Sequence, residues 1–151
     1  MRANITLSPR KMTIALIAVA VGGAVGTLVR DLLLKLQSTR PITGWTGYAP
    51  LQSQSWIPAI PWILLAINFV GVAVATWALA HPLRAHDPND PTRLLVITGL
   101  FGGFTSYSSL YVDFDVLWHR SVTGCLLVAV GAVLSGIVAA WLGLQLARFL
   151  R

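Results

Sequence analysis

The amino-acid sequence predicts an all-α membrane protein with four transmembrane helices, the third of them broken. Three observations carry that expectation. Of 151 residues, 56% are hydrophobic and 11% charged, against about a quarter charged in an ordinary soluble domain. Four apolar runs, at 12–36, 57–80, 94–112 and 121–147, each approach or exceed the ~20 residues that cross a bilayer, so residues 1–151 read as one four-helix domain. In the third run, adjacent Gly102 and Gly103 are followed by Thr105, Ser106, Ser108 and Ser109, a composition unsuited to a regular helix.

Composition also excludes several functions. The acidic residues are all aspartates, Asp31, Asp87, Asp90, Asp113 and Asp115, so no mechanism can use an intramembrane glutamate. The net charge of +6 comes from Lys and Arg scattered at segment ends, which suits a membrane surface and not a nucleic-acid partner. Cys125 is the lone cysteine, so neither an internal disulfide nor a cysteine metal cage is available. An enzyme is not expected, since no Ser-His-Asp, His-rich or paired-carboxylate set falls near one membrane depth.

The first run follows Arg10 and Lys11 as a signal peptide would. No small-x-small cleavage site leads into a polar mature domain, however, and three more apolar runs follow, so it reads as a retained span. Gly22, Gly23 and Gly26 form a close-packing surface leading to Arg30. Arg30 is either a snorkelling terminal cation or part of an anion-attracting vestibule. Residues 37–61 form a loop rich in Pro, Gly, Ser and Thr, whose Trp45, Tyr48 and Trp56, with Trp62 just beyond, favour the headgroup layer.

In the second run Asn68 is the only amide, with Gly71 one turn later on the same face. An amide in hydrocarbon needs a partner, supplied by another helix or by a ligand that has lost its water. Residues 81–91 form a polar, Pro-rich turn in which His81 and His86 read as solvent residues.

In the third run each glycine costs about 1 kcal/mol relative to alanine, and the hydroxyls offer the backbone other hydrogen bonds. Irregular backbone survives in a bilayer only where protein, ion or water satisfies it, so a break belongs at an interface and is suited to a small cation. Tight contact through small residues remains the alternative. Residues 111–120, with Asp113, Asp115 and His119, read as a solvated loop.

In the fourth run Gly124, Gly131 and Ser135 share one face and Gly136 and Gly143 a neighbouring one, both read first as packing faces. Ser135 is expected to bond its own preceding turn, and Cys125 to act as a small apolar residue. An even number of spans puts both termini on one side. That side holds Arg2, Arg10, Lys11, Arg84, Arg93, Arg148 and Arg151, against Arg30, Lys35, Arg40 and Arg120 opposite, a seven-to-four bias that favours cytoplasmic termini only modestly.

The strings Gly22-Gly-Ala-Val-Gly-Thr-Leu-Val-Arg30, Asn68-Phe-Val-Gly71 and Gly99-Leu-Phe-Gly-Gly-Phe-Thr-Ser-Tyr-Ser-Ser109 together resemble the Fluc, or CrcB, family of fluoride channels. Nearly the whole chain takes part, and the third string is the specific one. The resemblance implies an inverted, antiparallel dimer in the cell membrane that lets fluoride leave the cytoplasm passively and so confers fluoride resistance. It also implies a structural sodium ion, Na+, between the broken helices. By motif position the carbonyls of Gly102 and Thr105 would hold sodium, Asn68 would donate to fluoride, and Arg30 would sit near the entrance. Tyr107, Ser108, Ser109 and Leu110 would complete the fluoride pathway.

The family's third helix typically carries two phenylalanines after its hydroxyl pair, in the slots held here by Tyr107 and Leu110. Tyr107 keeps a polarised ring edge and adds a hydroxyl, whereas Leu110 has no ring. That departure is compatible with a subunit paired to a related chain instead of to a second copy of itself. The 37–61 loop is longer than the family's usual connection and takes no role from it. Two rival readings are a small proton-coupled multidrug exporter, which resembles this chain but relies on a first-helix glutamate, and a non-transporting scaffold or assembly subunit whose glycines only pack.

Overall fold

The computed structural model describes residues 8–37, 60–84 and 87–150, which are helical apart from short connections and contain no strand. Helix α1 is Pro9–Gln37 and α2 is Trp62–Ala80. Helix α3 runs through Pro91–Arg93, a π-helical Leu94–Phe101 and Gly102–Phe104. Helix α4 is Tyr107–Arg120 and α5 is Val122–Phe149. With α3 and α4 taken together as Pro91–Arg120, four helical segments are long and apolar enough to cross a membrane.

The helix starts follow from local chemistry. Asp90 caps α3, its Oδ1 accepting the Thr92 amide at 2.7 Å, and Pro91 occupies the first helical position, where no amide hydrogen is needed. Ser121 is the single residue between α4 and α5, and its hydroxyl accepts the Gly124 amide at 3.0 Å. Helix α2 begins at Trp62, after Pro61, and not at residue 57; residues 57–59 lie outside the described residues, as do 38–59 of the first loop and His86. Residues 111–120 are helical, which corrects their reading as a loop. The Ser106 cap starts a new helix that carries Asp113, Asp115 and His119 on its surface, and His119 Nδ1 donates to the Asp115 carbonyl one turn back at 2.8 Å. His81 is exposed but engaged, stacking on Trp77 and donating from Nε2 to the Leu150 carbonyl at 3.1 Å.

Two helix pairs build the protomer. Helix α1 packs along α3, and α2 packs along α5, with α4 folded back onto α5. The α1–α3 seam is made of backbone. A Cβ at Gly26 would overlap the Leu100 carbonyl oxygen and lie 2.8 Å from the Phe104 nitrogen, and a Cβ at Gly99 would lie 2.9 Å from Gly22 Cα. Gly22 faces the Gly99 and Leu100 backbone, Gly26 the Leu100 and Phe104 backbone, and Gly103 the backbone of Gly23, so small residues on both helices let them approach without side chains between them. At the α2–α5 seam Gly143 does the same against Ala73 and Trp77. Gly102 and Gly131 meet nothing within 4 Å, so neither packs inside the protomer. Ile60, Leu117, Cys125 and Val128 form a buried cluster where α4 turns into α5, while Leu127, Ile137 and Phe149 point outward as lipid-facing chains do.

The seam gives a direct contrast on one helix. Gly26→Ala forces a methyl into the α3 backbone and should destabilise the protein by about 1–3 kcal/mol. Gly23→Ala, whose Cβ has its nearest neighbour at 4.0 Å, should be tolerated. Heating the detergent-solubilised variants and following the soluble folded fraction checks this; equal midpoints for the two would contradict the seam.

Candidate functional site

Helical geometry ends at Phe104 and resumes at Tyr107. Between them Thr105 (φ −80°, ψ 145°) and Ser106 (φ −147°, ψ 116°) are extended, and Ser106 is buried. Two extended residues inside an apolar segment leave amides and carbonyls that a regular helix would have paired, each costing several kcal/mol if left bare in hydrocarbon. Side chains take up part of that demand. Asn68, from the middle of α2, reads Ser106 as a neighbouring strand would: the Ser106 amide donates to Asn68 Oδ1 at 2.9 Å, and Asn68 Nδ2 donates to the Ser106 carbonyl at 3.2 Å. Gly71, one turn along, makes room for Thr105 Cγ2 and the Phe104 ring.

The Ser106 hydroxyl then starts α4. It accepts the Ser109 amide at 3.1 Å and shares hydrogens with the Ser109 and Ser108 hydroxyls at 3.0 and 3.1 Å. Thr105 turns back, its amide and hydroxyl both donating to the Phe101 carbonyl, at 2.9 and 2.8 Å. The Gly103 carbonyl accepts from the Thr27 hydroxyl of α1 at 3.5 Å. In an unbroken helix the Ser106 amide would serve the Gly102 carbonyl and the Ser109 amide the Thr105 carbonyl. Here both amides go to side-chain oxygens, Asn68 Oδ1 and Ser106 Oγ.

Beside this junction α2, α4 and α5 enclose a crevice lined by Asn68, Phe69, Tyr107, Leu110, Ser135 and Gly136, among others, with no carboxylate or cation in the lining. Its free volume is about 10 Å3, near the roughly 10–15 Å3 at which a space can just admit one water. Tyr107 passes close to Gly136, where a Cβ would lie 3.9 Å from its hydroxyl. Leu110 is only 2% exposed and walls the crevice with hydrocarbon. Ser135 spends its hydroxyl hydrogen on the Ala132 carbonyl of its own preceding turn at 2.8 Å, leaving lone pairs and no donor toward the space.

Of the residues singled out from sequence, the structure therefore brings Asn68, Tyr107 and Leu110 to one crevice. Ser108 and Ser109 belong to the adjoining hydroxyl cluster, and Gly102 and Thr105 flank the extended junction. Arg30 is half-buried on α1 and does not line the crevice. Ser106, the helix cap, is a further site residue; a serine is a common cap, but its place among several hydroxyl residues does not single it out. The sequence reading also left out Phe69, which carries no signal beyond its place next to Asn68. Among the described residues no group of three or more His, Cys, Asp or Glu side chains is placed to hold a metal ion.

Comparison with known proteins bears on this arrangement. Residues 17–144 match the family model described as CrcB-like protein, Camphor Resistance (CrcB). The chain is 36% identical over 136 residues to a protein of Mesorhizobium japonicum named fluoride-specific ion channel FluC, covering 89% of this chain and 97% of that one. It is 36% identical over 137 residues to a protein of the same name from Erythrobacter litoralis, covering 89% and 92%. A third protein of that name, from a Chelativorans species, is 31% identical over 134 residues, covering 88% and 95%. The matched region takes in the glycine seam, Asn68, the extended junction and the crevice, and the chain belongs to the CrcB family as a multi-pass membrane protein.

Proposed function

We propose that this chain is a fluoride channel, conducting the anion passively out of the cytoplasm across the cell membrane. What carries the reading is a water-sized crevice lined by an amide, a phenol and apolar groups, with no carboxylate to repel an anion, in a chain whose relatives are named fluoride-specific ion channels. An anion entering it gives up water, and burying a bare charge is prohibitive unless protein donors replace that water. Asn68 Nδ2 commits one hydrogen to Ser106 and has a second, and the Tyr107 hydroxyl supplies another donor. The edge of the Phe69 ring, positively polarised, adds a weaker attraction. Leu110 contributes a wall that keeps the path narrow and dry. Ser108 and Ser109 hold the start of α4 and so fix where Tyr107 and Leu110 sit; Arg30 acts at a distance, raising the local anion concentration near one mouth.

The working unit in this reading is an inverted pair of subunits with the broken third spans facing each other, each either a second copy of this chain or a related one. Support comes from Gly102, which is exposed and whose Cβ position has no described residue within 4 Å of it. The four cationic residues on one side against seven on the other give a modest preference for cytoplasmic termini, which leans toward pairing with a related, oppositely oriented chain. Structural sodium is the proposed cofactor, bound by the carbonyls of Gly102 and Thr105 together with those of the opposed subunit. Hard cations take oxygen ligands, and a bound ion would satisfy carbonyls left by the extended junction.

Fluoride-loaded liposomes containing this chain alone should release fluoride when a potassium ionophore clamps the voltage, as followed by a fluoride electrode. No release from the chain alone, with release restored by a related partner, would mean a mixed dimer; no release in either case, or release that requires a proton gradient, would end the channel reading. Asn68→Asp, which places a carboxylate at the crevice, should lower the flux at least tenfold, and native flux in that variant would take Asn68 out of the path. Gly102→Leu should leave the protomer folded, because nothing lies within 4 Å of its Cβ, yet abolish pairing on a sizing column. A variant that still pairs normally would contradict the facing arrangement.

A further inference from the structure

We propose that Asn68 and Ser106 are the positioning residues of the cation site, acting by drawing amide hydrogens away from the two carbonyls that would bind the ion. This rests on the sodium assignment above and concerns how the ligands come to be available. A carbonyl inside a helix already accepts an amide hydrogen, and its oxygen points along the helix axis toward that donor. Losing that donor frees the oxygen to turn toward a cation. In this chain the loss is arranged by two side chains. The Ser106 amide, four residues after Gly102, is taken by Asn68 Oδ1 at 2.9 Å; the Ser109 amide, four residues after Thr105, is taken by Ser106 Oγ at 3.1 Å. Neighbouring carbonyls are treated differently: Phe101 keeps the Thr105 amide at 2.9 Å and gains the Thr105 hydroxyl at 2.8 Å, and Gly103 receives the Thr27 hydroxyl at 3.5 Å. The carbonyls on either side of Gly102 are thus occupied while its own donor is diverted, and Gly102 faces open space.

The arrangement is directional. Asn68 also donates to the Ser106 carbonyl at 3.2 Å, so the extended residue is held at both its amide and its carbonyl and cannot rotate back into a helix without breaking two hydrogen bonds. Asn68 thereby links the crevice, which it lines, to the junction, which it holds open. One amide serves both the anion path and the cation ligands, through different atoms: Oδ1 frees the Gly102 carbonyl, and Nδ2 supplies hydrogen.

The test is a sodium titration of the full-length protein in detergent, with N-methylglucamine holding ionic strength constant and the thermal midpoint as readout. It needs no fluoride flux. The native chain should show a saturable rise in midpoint with sodium. Ser106→Ala, which removes the acceptor that holds the Ser109 amide, and Asn68→Leu, which removes the one that holds the Ser106 amide, should shift the half-saturating sodium concentration upward about tenfold or more, the usual penalty for removing a group that orients metal ligands. Ser106→Thr keeps the hydroxyl and should titrate like the native chain. Asn68→Asp keeps an acceptor for the Ser106 amide and should retain its sodium response while losing fluoride flux, which separates the two roles of this position. If Asn68→Leu misfolds, the Ser106 pair decides the matter. A native sodium midpoint in Ser106→Ala, or loss of response in Ser106→Thr and Asn68→Asp, overturns the proposal and leaves the fluoride reading standing. Absence of any sodium response in the native chain overturns both this proposal and the sodium assignment, whereas failure of the channel reading would appear in the flux assay.

Discussion

The pair of hydrogen bonds between Asn68 and the Ser106 backbone is the interaction on which the rest of this molecule depends. A membrane interior supplies no water, so a chain can leave the helix there only if something else accepts and donates in its place. One carboxamide does both for Ser106, at 2.9 and 3.2 Å. With it in place, helix α3 can stop, two residues can run extended, and α4 can start again under a serine cap. Without it, the Ser106 amide and carbonyl would lose their partners, at a cost of several kcal/mol each in hydrocarbon.

The glycine seam has a separate job. By setting Gly22, Gly23 and Gly26 against the backbone of Gly99, Leu100, Gly103 and Phe104, α1 braces α3 up to the junction. Contact between backbones leaves no rotamers to rearrange, so the position of Phe104 relative to α1 is fixed closely. Helix α2 then meets the junction with Gly71 and Asn68, and α5 closes the other side of the crevice at Ser135 and Gly136. Three helices thus bound one narrow crevice from three directions. Outward-facing Leu, Ile and Val on α5 bear no polar duty and suit lipid or a second subunit.

Much of this was legible in the sequence, for identifiable reasons. Four spans follow from apolar length alone. The amide of Asn68 had to find a partner because hydrocarbon offers none, and the partner is the irregular stretch that Gly102, Gly103 and the hydroxyl residues had marked as unsuited to a regular helix. The two readings of the glycines, backbone freedom and close packing, apply to different residues: Gly99 and Gly103 pack, while Gly102 faces outward. Other features left no trace in the sequence. The π-helical winding of Leu94–Phe101 has no signature in propensity, because those residues suit an α-helix equally well. Residues 111–120 read as loop because Asp113, Asp115 and His119 are polar, yet a helix end outside the apolar layer can be polar all round. Ser106 passed as one hydroxyl among several because capping depends on where the chain bends, which spacing alone does not fix.

The most direct test of the account is anion discrimination by the purified chain in liposomes loaded with equal fluoride and chloride, with both anions followed by electrode after the potassium ionophore is added. A water-sized, donor-lined path predicts that fluoride leaves completely while chloride, too large for the crevice, stays inside. Parallel release of both anions, or retention of both whether or not a related partner chain is supplied, would contradict it.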